Sequence, residues 1–159
     1  MSKRDDDLRA AAAGALGGAA ATVAMSAVMV AALKTGLMSE MPPQEIAVKS
    51  VDRAGAGDEV AHDEKRDLGW LAHFGFGAAA GALYGVLRQR LPTPGPAAVH
   101  GSVYALGVWA VSYLGWIPAL RLLPPATDDE PGRQPAMVAA HVVFGGLLGA
   151  LVEPALRRR

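Results

Sequence analysis

Four stretches of this sequence carry no charged side chain: residues 10–33, 68–87, 97–117 and 135–152, together more than half of the 159. A helix needs about 20 mainly apolar residues to cross the hydrocarbon layer of a bilayer, so each stretch is close to spanning length. The mean hydropathy of +0.24 averages these runs with charged connections. A water-soluble four-helix bundle would instead need a polar face recurring on every helix at the 3.6-residue period. The second and fourth stretches lack one, since the only strongly polar side chain of each is His73 or His141. A cleaved signal peptide also fits poorly, because Asp5, Asp6 and Asp7 spoil the basic leader and the first apolar run is too long. The chain therefore reads as all-α: one integral membrane domain over residues 1–159, folded as a four-helix bundle.

Segments rich in Lys and Arg near span ends stay in the cytoplasm. Four spans put both termini on one side. That side gathers Lys3, Arg4, Arg9, Arg88, Arg90, Arg157, Arg158 and Arg159 in short segments, while the other seven basic residues are spread over two longer loops. Both termini are thus expected in the cytoplasm, with eleven of the fifteen acidic residues outside. The balance of 15 basic and 15 acidic residues offers no bulk charge for gripping nucleic acid. The absence of cysteine excludes a disulfide framework, a thiolate metal site and a cysteine nucleophile. No GxSxG elbow, Walker-type phosphate loop or HExxH helix is present, so a non-enzymatic protein is expected.

The second and fourth spans share the pattern HxxFGxxxGAL. It pairs His73 with His141, Phe76 with Phe144, Gly77 with Gly145, Gly81 with Gly149, Ala82 with Ala150 and Leu83 with Leu151 at a constant offset. A Pro-Pro pair precedes each, Pro42-Pro43 and Pro124-Pro125. Two tandem helical hairpins, related as pseudo-repeats about an axis along the membrane normal, are the architecture this predicts. Small residues at every fourth position let helix backbones approach closely, and lipid gives no hydrophobic drive to do it otherwise. Gly69, Gly77, Gly81 and Gly85 form such a stripe in the second span, Gly145 and Gly149 in the fourth, and Gly14, Gly18, Thr22 and Ser26 in the first. The third presents Gly101, Ala105, Trp109 and Tyr113, a bulkier face. If the second and fourth spans cross through their stripes, His73 and His141 face each other near the non-terminal surface.

A histidine within a span is costly enough to mark a candidate site. The pair reads first as hydrogen-bonding glue between helices. As the alternative, His73 and His141 are cofactor ligands, for haem or a metal, or proton-handling groups. No resident metal or cofactor is expected on the first reading. His100 and Glu153 read as interfacial residues, the latter beside arginines at the end of the fourth span. Asp58, Glu59, His62, Asp63 and Glu64 read as a solvated charged loop. Residues 43–51 read as a short amphipathic helix, with Ile46, Ala47, Ser50 and Val51 on its apolar face and Glu45, Lys49 and Asp52 toward water. Trp70, Trp109, Trp116, Tyr84, Tyr104 and Tyr113 read as span-end anchors or packing.

Several short motifs resemble an uncharacterised bacterial inner-membrane family that includes YagU. They are Met41 to Glu45 (MPPQE), His73 to Gly85, Trp109 to Trp116 in the third span, Pro118, Leu122 to Pro125 (LLPP), and His141 with the basic tail after Glu153. The resemblance implies a bacterial cytoplasmic membrane location and no assigned activity. The expected function is that of a non-enzymatic membrane protein, accessory or structural, or a small channel or carrier-like module. A haem- or metal-binding redox protein is the alternative. The expected partner is the lipid bilayer, with a second copy or another membrane protein as further options.

Overall fold

The computed structural model describes residues 2–157. Among them lie five helices and no strand: α1 (Lys3–Lys34), α2 (Pro42–Arg53), α3 (His62–Arg90), α4 (Ala97–Ala119) and α5 (Arg133–Arg157). α1, α3, α4 and α5 are each long and apolar enough to cross a membrane. Their outer faces carry large exposed hydrophobic side chains, among them Leu71, Val103 and Val111, as lipid contact requires. Arg158 and Arg159 of the basic tail lie outside the described residues.

The helices run past the uncharged stretches because polar flanks cap them. Ser2 and Asp5 form a reciprocal capping box at the start of α1, and Gly36, at φ 76°, closes its end in the left-handed conformation. α2 has prolines in its first turn, where no N–H partner is lost. α3 begins already at His62, with Asp63 and Glu64 facing the positive end of the helix dipole. The acidic segment is therefore partly helical, and not wholly loop as its composition predicts. α5 continues through Pro154 to Arg157, so Glu153 sits inside the helix and does not end it. In α4, Ser112–Trp116 form one π-helical turn, in which the Ile117 N–H reaches back five residues to the Ser112 carbonyl. Pro118 explains the slip: it has no N–H to continue the α-helical ladder.

α1 and α5 lie side by side at the centre, α3 packs on α1, and α4 packs on α5; α3 barely touches α4 or α5. The expected crossing of the α3 and α5 glycine stripes on each other does not occur. Each stripe is used inside its own hairpin. A Cβ added at Gly81 would fall on the Gly14 carbonyl oxygen, one at Gly14 on that of Gly81, and one at Gly85 on that of Ala10. In the second hairpin the same reciprocal contact joins Gly145 to Gly101, and Gly149 meets the Ala97 carbonyl. Oxygens lying where a Cβ would be are placed to accept Cα–H donors. The physical reason for the pairing is complementarity: α1 and the first turns of α4 also carry small residues, so both partners in a seam can come close. The other face of α1, with Gly17, takes Leu148 and Val152 of α5.

Two clusters of charge pin the bundle ends. At the terminal end, Oε1 of buried Glu153 accepts from Arg88 Nε (2.8 Å) and Tyr84 Oη (3.0 Å) on α3 and pairs with His100 Nδ1 (3.1 Å) on α4. At the other end, Arg133, 3% exposed, meets Glu45 (3.0 Å), Asp129 (3.3 Å) and Glu130 (3.1 Å), while Tyr113 donates to Asp129. Glu45 therefore points inward to Arg133, against its expected place in water. Asp52 stays exposed, as expected, while pairing with the buried Lys65 at 2.7 Å. Ser39 donates through its backbone N–H (2.7 Å) and its hydroxyl to Glu130, which holds that carboxyl below the usual carboxylate range.

Two outcomes follow for the purified protein in detergent micelles. Gly81→Leu forces a side chain into backbone and should lower stability by more than about 3 kcal/mol or prevent assembly, whereas Gly107→Leu, with open space around its Cα, should leave the thermal midpoint unchanged. Equal midpoints for the two would contradict the seam. Glu153→Ala strands Arg88, Tyr84 and His100 together and should cost about 3 kcal/mol in thermal unfolding; a loss no greater than that of an exposed Asp58→Ala control would show the cluster is not a structural tie.

Candidate functional site

The small-residue stripe of α4 does not continue to its end. After Ala97, Gly101 and Ala105 come Trp109, Tyr113 and, on the neighbouring face, Trp116. Where the small residues stop, a cavity of about 220 Å³ opens. Its walls are α3 (Ala72, His73, Phe76, Gly77, Ala80), α4 (Val108, Trp109, Ser112, Tyr113, Trp116, Ile117), and α5 (Met137, His141, Phe144), with Thr22 and Met25 of α1 behind and Pro42, Pro43 and Ile46 of α2 across the end. At the other end Tyr104 closes it, donating to the Ala80 carbonyl of α3 (2.7 Å) and packing on Tyr84 with ring centroids 5.2 Å apart.

Phe76 and Trp116 line the cavity and are 49% and 40% exposed. Both lie in uncharged parts of helices long and apolar enough to cross a membrane, on the two sides of the mouth between α3 and α4. The π turn of α4 supplies Ser112, Tyr113 and Trp116 to the wall. Such single π turns inside helices recur at functional sites.

Among the described residues, no Asp, Glu, Lys or Arg contributes to the lining. Its polar groups are few, and their pairing is uneven. His141 Nδ1 lies 2.7 Å from the Met137 carbonyl one turn back, so its N–H bond is made within α5. Thr22 Oγ1 donates to the Gly18 carbonyl at 2.8 Å. By contrast His73 Nε2 and Trp109 Nε1 are buried with no hydrogen-bond partner. His73 packs edge-on to Trp70 and Phe74, and Trp109 stacks on Tyr113 at 5.8 Å and 18°. An indole N–H left without an acceptor costs about 1–3 kcal/mol.

His73 and His141 thus share one cavity without the helix crossing that the stripes suggest. They enter it from α3 and α5, which scarcely touch each other. Among the described residues, His141 Nδ1 bonds within its own helix and His73 Nε2 finds no partner. Among the described residues no three His, Cys, Asp or Glu side chains gather as a metal site would need, and two imidazoles fall short of the four ligands of a structural site. Gly77, Gly81 and Gly85 face α1, and Gly145 and Gly149 face α4. Trp109, which the sequence reading gave as a span-end anchor or packing, is a lining residue that it missed. Its signal was the break in a small-residue stripe at mid-span. Arg133 and Asp129 were likewise not singled out, although their i, i+4 spacing at a span edge fits an ion pair.

No curated protein and no solved structure matches this chain. Residues 8–159 match a family described as a family of unknown function (DUF6789). That match covers nearly all of the sequence, seams and cavity wall included, and the chain belongs to this family.

Proposed function

We propose that the protein is a non-enzymatic, carrier-like or accessory component of the bacterial cytoplasmic membrane, which takes a membrane-dissolved apolar molecule into the cavity between α3 and α4. The single observation that carries this reading is the mouth: Phe76 and Trp116 are exposed, line the cavity and belong to uncharged parts of helices long and apolar enough to cross a membrane. Material entering there comes from lipid, and apolar pockets with few polar groups hold apolar ligands. The lateral opening favours a carrier-like or accessory role over a water-filled channel. The likeness to the YagU-containing family supports the cytoplasmic membrane, and the basic residues around both termini support their placement in the cytoplasm.

We further read the fold as two related hairpins. The shared glycines of the HxxFGxxxGAL pattern meet the partner helix at matching places in each, Gly77 at Gly18 and Gly145 at Gly101, then Gly81 at Gly14 and Gly149 at Ala97, which supports a duplication. On this reading Trp109 stands where the first hairpin has the small Ser26, and the cavity is a product of divergence between the copies.

Labelling of bacterial membranes with a photoactivatable alkane tests the cavity. Cross-links should map to Phe76, Val108 and Trp116, and Ala72→Trp, which fills the space, should remove them; labelling that survives Ala72→Trp would sink the reading. The natural lack of cysteine allows a direct check of orientation. In spheroplasts a membrane-impermeant thiol reagent should modify Asp58→Cys at once and Thr93→Cys only after lysis, and the reverse order would place the termini outside.

A further inference from the structure

Two of the few polar side chains in the cavity wall, His73 and Trp109, carry a buried nitrogen with no partner among the described residues, and they define more of its occupant than shape does. Trp109 Nε1 is a donor and nothing else. It is buried, and none of the described residues gives it an acceptor. His73 Nε2 is buried and unpartnered in the same way. As a neutral imidazole it can carry its proton on that nitrogen and donate as well. His141 behaves differently, since its Nδ1–H is taken by Met137 and its other ring nitrogen is left as an acceptor only.

Charge narrows the choice. With no ionised side chain in the lining, a carboxylate, phosphate or ammonium in the cavity would be an unpaired charge in a low-dielectric site, at a cost of several kcal/mol. Rings narrow it further. Trp109 and Tyr113 stack as a pair, and Phe76 and Phe144 line the same space, so flat or chain-like apolar bodies find aromatic contact.

We propose that the cavity is a binding site for a neutral amphiphile whose carbonyl oxygen accepts from Trp109 Nε1, with His73 Nε2 as second donor, and whose apolar body leaves between Phe76 and Trp116 into the bilayer. The inference rests on the reading of the cavity as an apolar ligand site and adds the polar group recognised. Two membrane-resident sources share this chemistry: the carbonyl-bearing ring of an isoprenoid quinone and the ester of an uncharged acyl lipid. Binding involves no covalent or redox step. The two histidines then have separate tasks, His73 on the ligand oxygen and His141 locked to its own helix.

The experiment is competitive retention by native mass spectrometry of the full chain in nanodiscs, with three probes: a decyl-tailed benzoquinone, a monoacylglycerol and a bromoalkane without oxygen. The parent should retain at least one carbonyl probe more tightly than the bromoalkane. Trp109→Phe and His73→Phe each keep an aromatic ring and remove the hydrogen-bonding nitrogen. Each should weaken the carbonyl probe by about tenfold, the worth of one buried hydrogen bond, and leave the bromoalkane unchanged, which also reports an intact cavity. Preference between quinone and monoacylglycerol names the source. If the parent holds all three probes equally, or the variants weaken all three alike, carbonyl recognition is overturned while the apolar cavity stands. If the parent retains none of them, both readings fall.

Discussion

Backbone-to-backbone contact through glycine is the constraint on which the rest of the bundle depends. At Gly14 with Gly81, and at Gly101 with Gly145, each carbonyl oxygen occupies the place a side chain would need. In lipid, apolar side chains gain nothing by leaving their surroundings, so close packing and weak Cα–H···O contacts must hold helices together. Two seams of this kind join α1 to α3 and α4 to α5. The α1–α5 contact then joins the halves through larger side chains such as Leu148 and Val152, leaving α3 and α4 with no seam between them.

That arrangement makes the cavity. Four helices in two tight pairs, joined along one side, leave the opposite side held only where specific groups reach across. Tyr104 does so through the Ala80 carbonyl, and Glu153 does so by gathering Arg88, Tyr84 and His100 onto one oxygen. At the far end Arg133 ties α2 and the loop before α5 to the bundle. Buried ion pairs of this type add little net stability over apolar packing, yet breaking one is costly, so they fix geometry more than they add energy. Between the two clusters the bulky half of α4 and its π turn face α3 across open space.

Much of the architecture was legible in the residues. Span number and approximate limits came from the spacing of charges, and the helix-packing glycines from a four-residue period. Pairing of the stripes was not legible, because a stripe states that a face is small but not which other small face it meets. The choice of α1 over α5 as the partner of α3 is a matter of connection and fit over the whole length. Glu45 shows the same limit on a smaller scale: an amphipathic pattern assigns it to water, and only the approach of Arg133 from a helix about ninety residues later draws it inward. Trp109 looked like an anchor because its unmet N–H cannot be seen without knowing what surrounds it.

The sequence by itself determined the solvent, the number of crossings and which faces could pack tightly, since these depend on local composition and on helical period, which are properties of short segments. Only the tertiary structure decided that the two glycine stripes serve separate hairpins, and that His73 and His141 line one cavity without a crossing of α3 and α5. Those outcomes depend on distances between residues far apart in the chain, and close packing fixes such distances only when all four helices are present together.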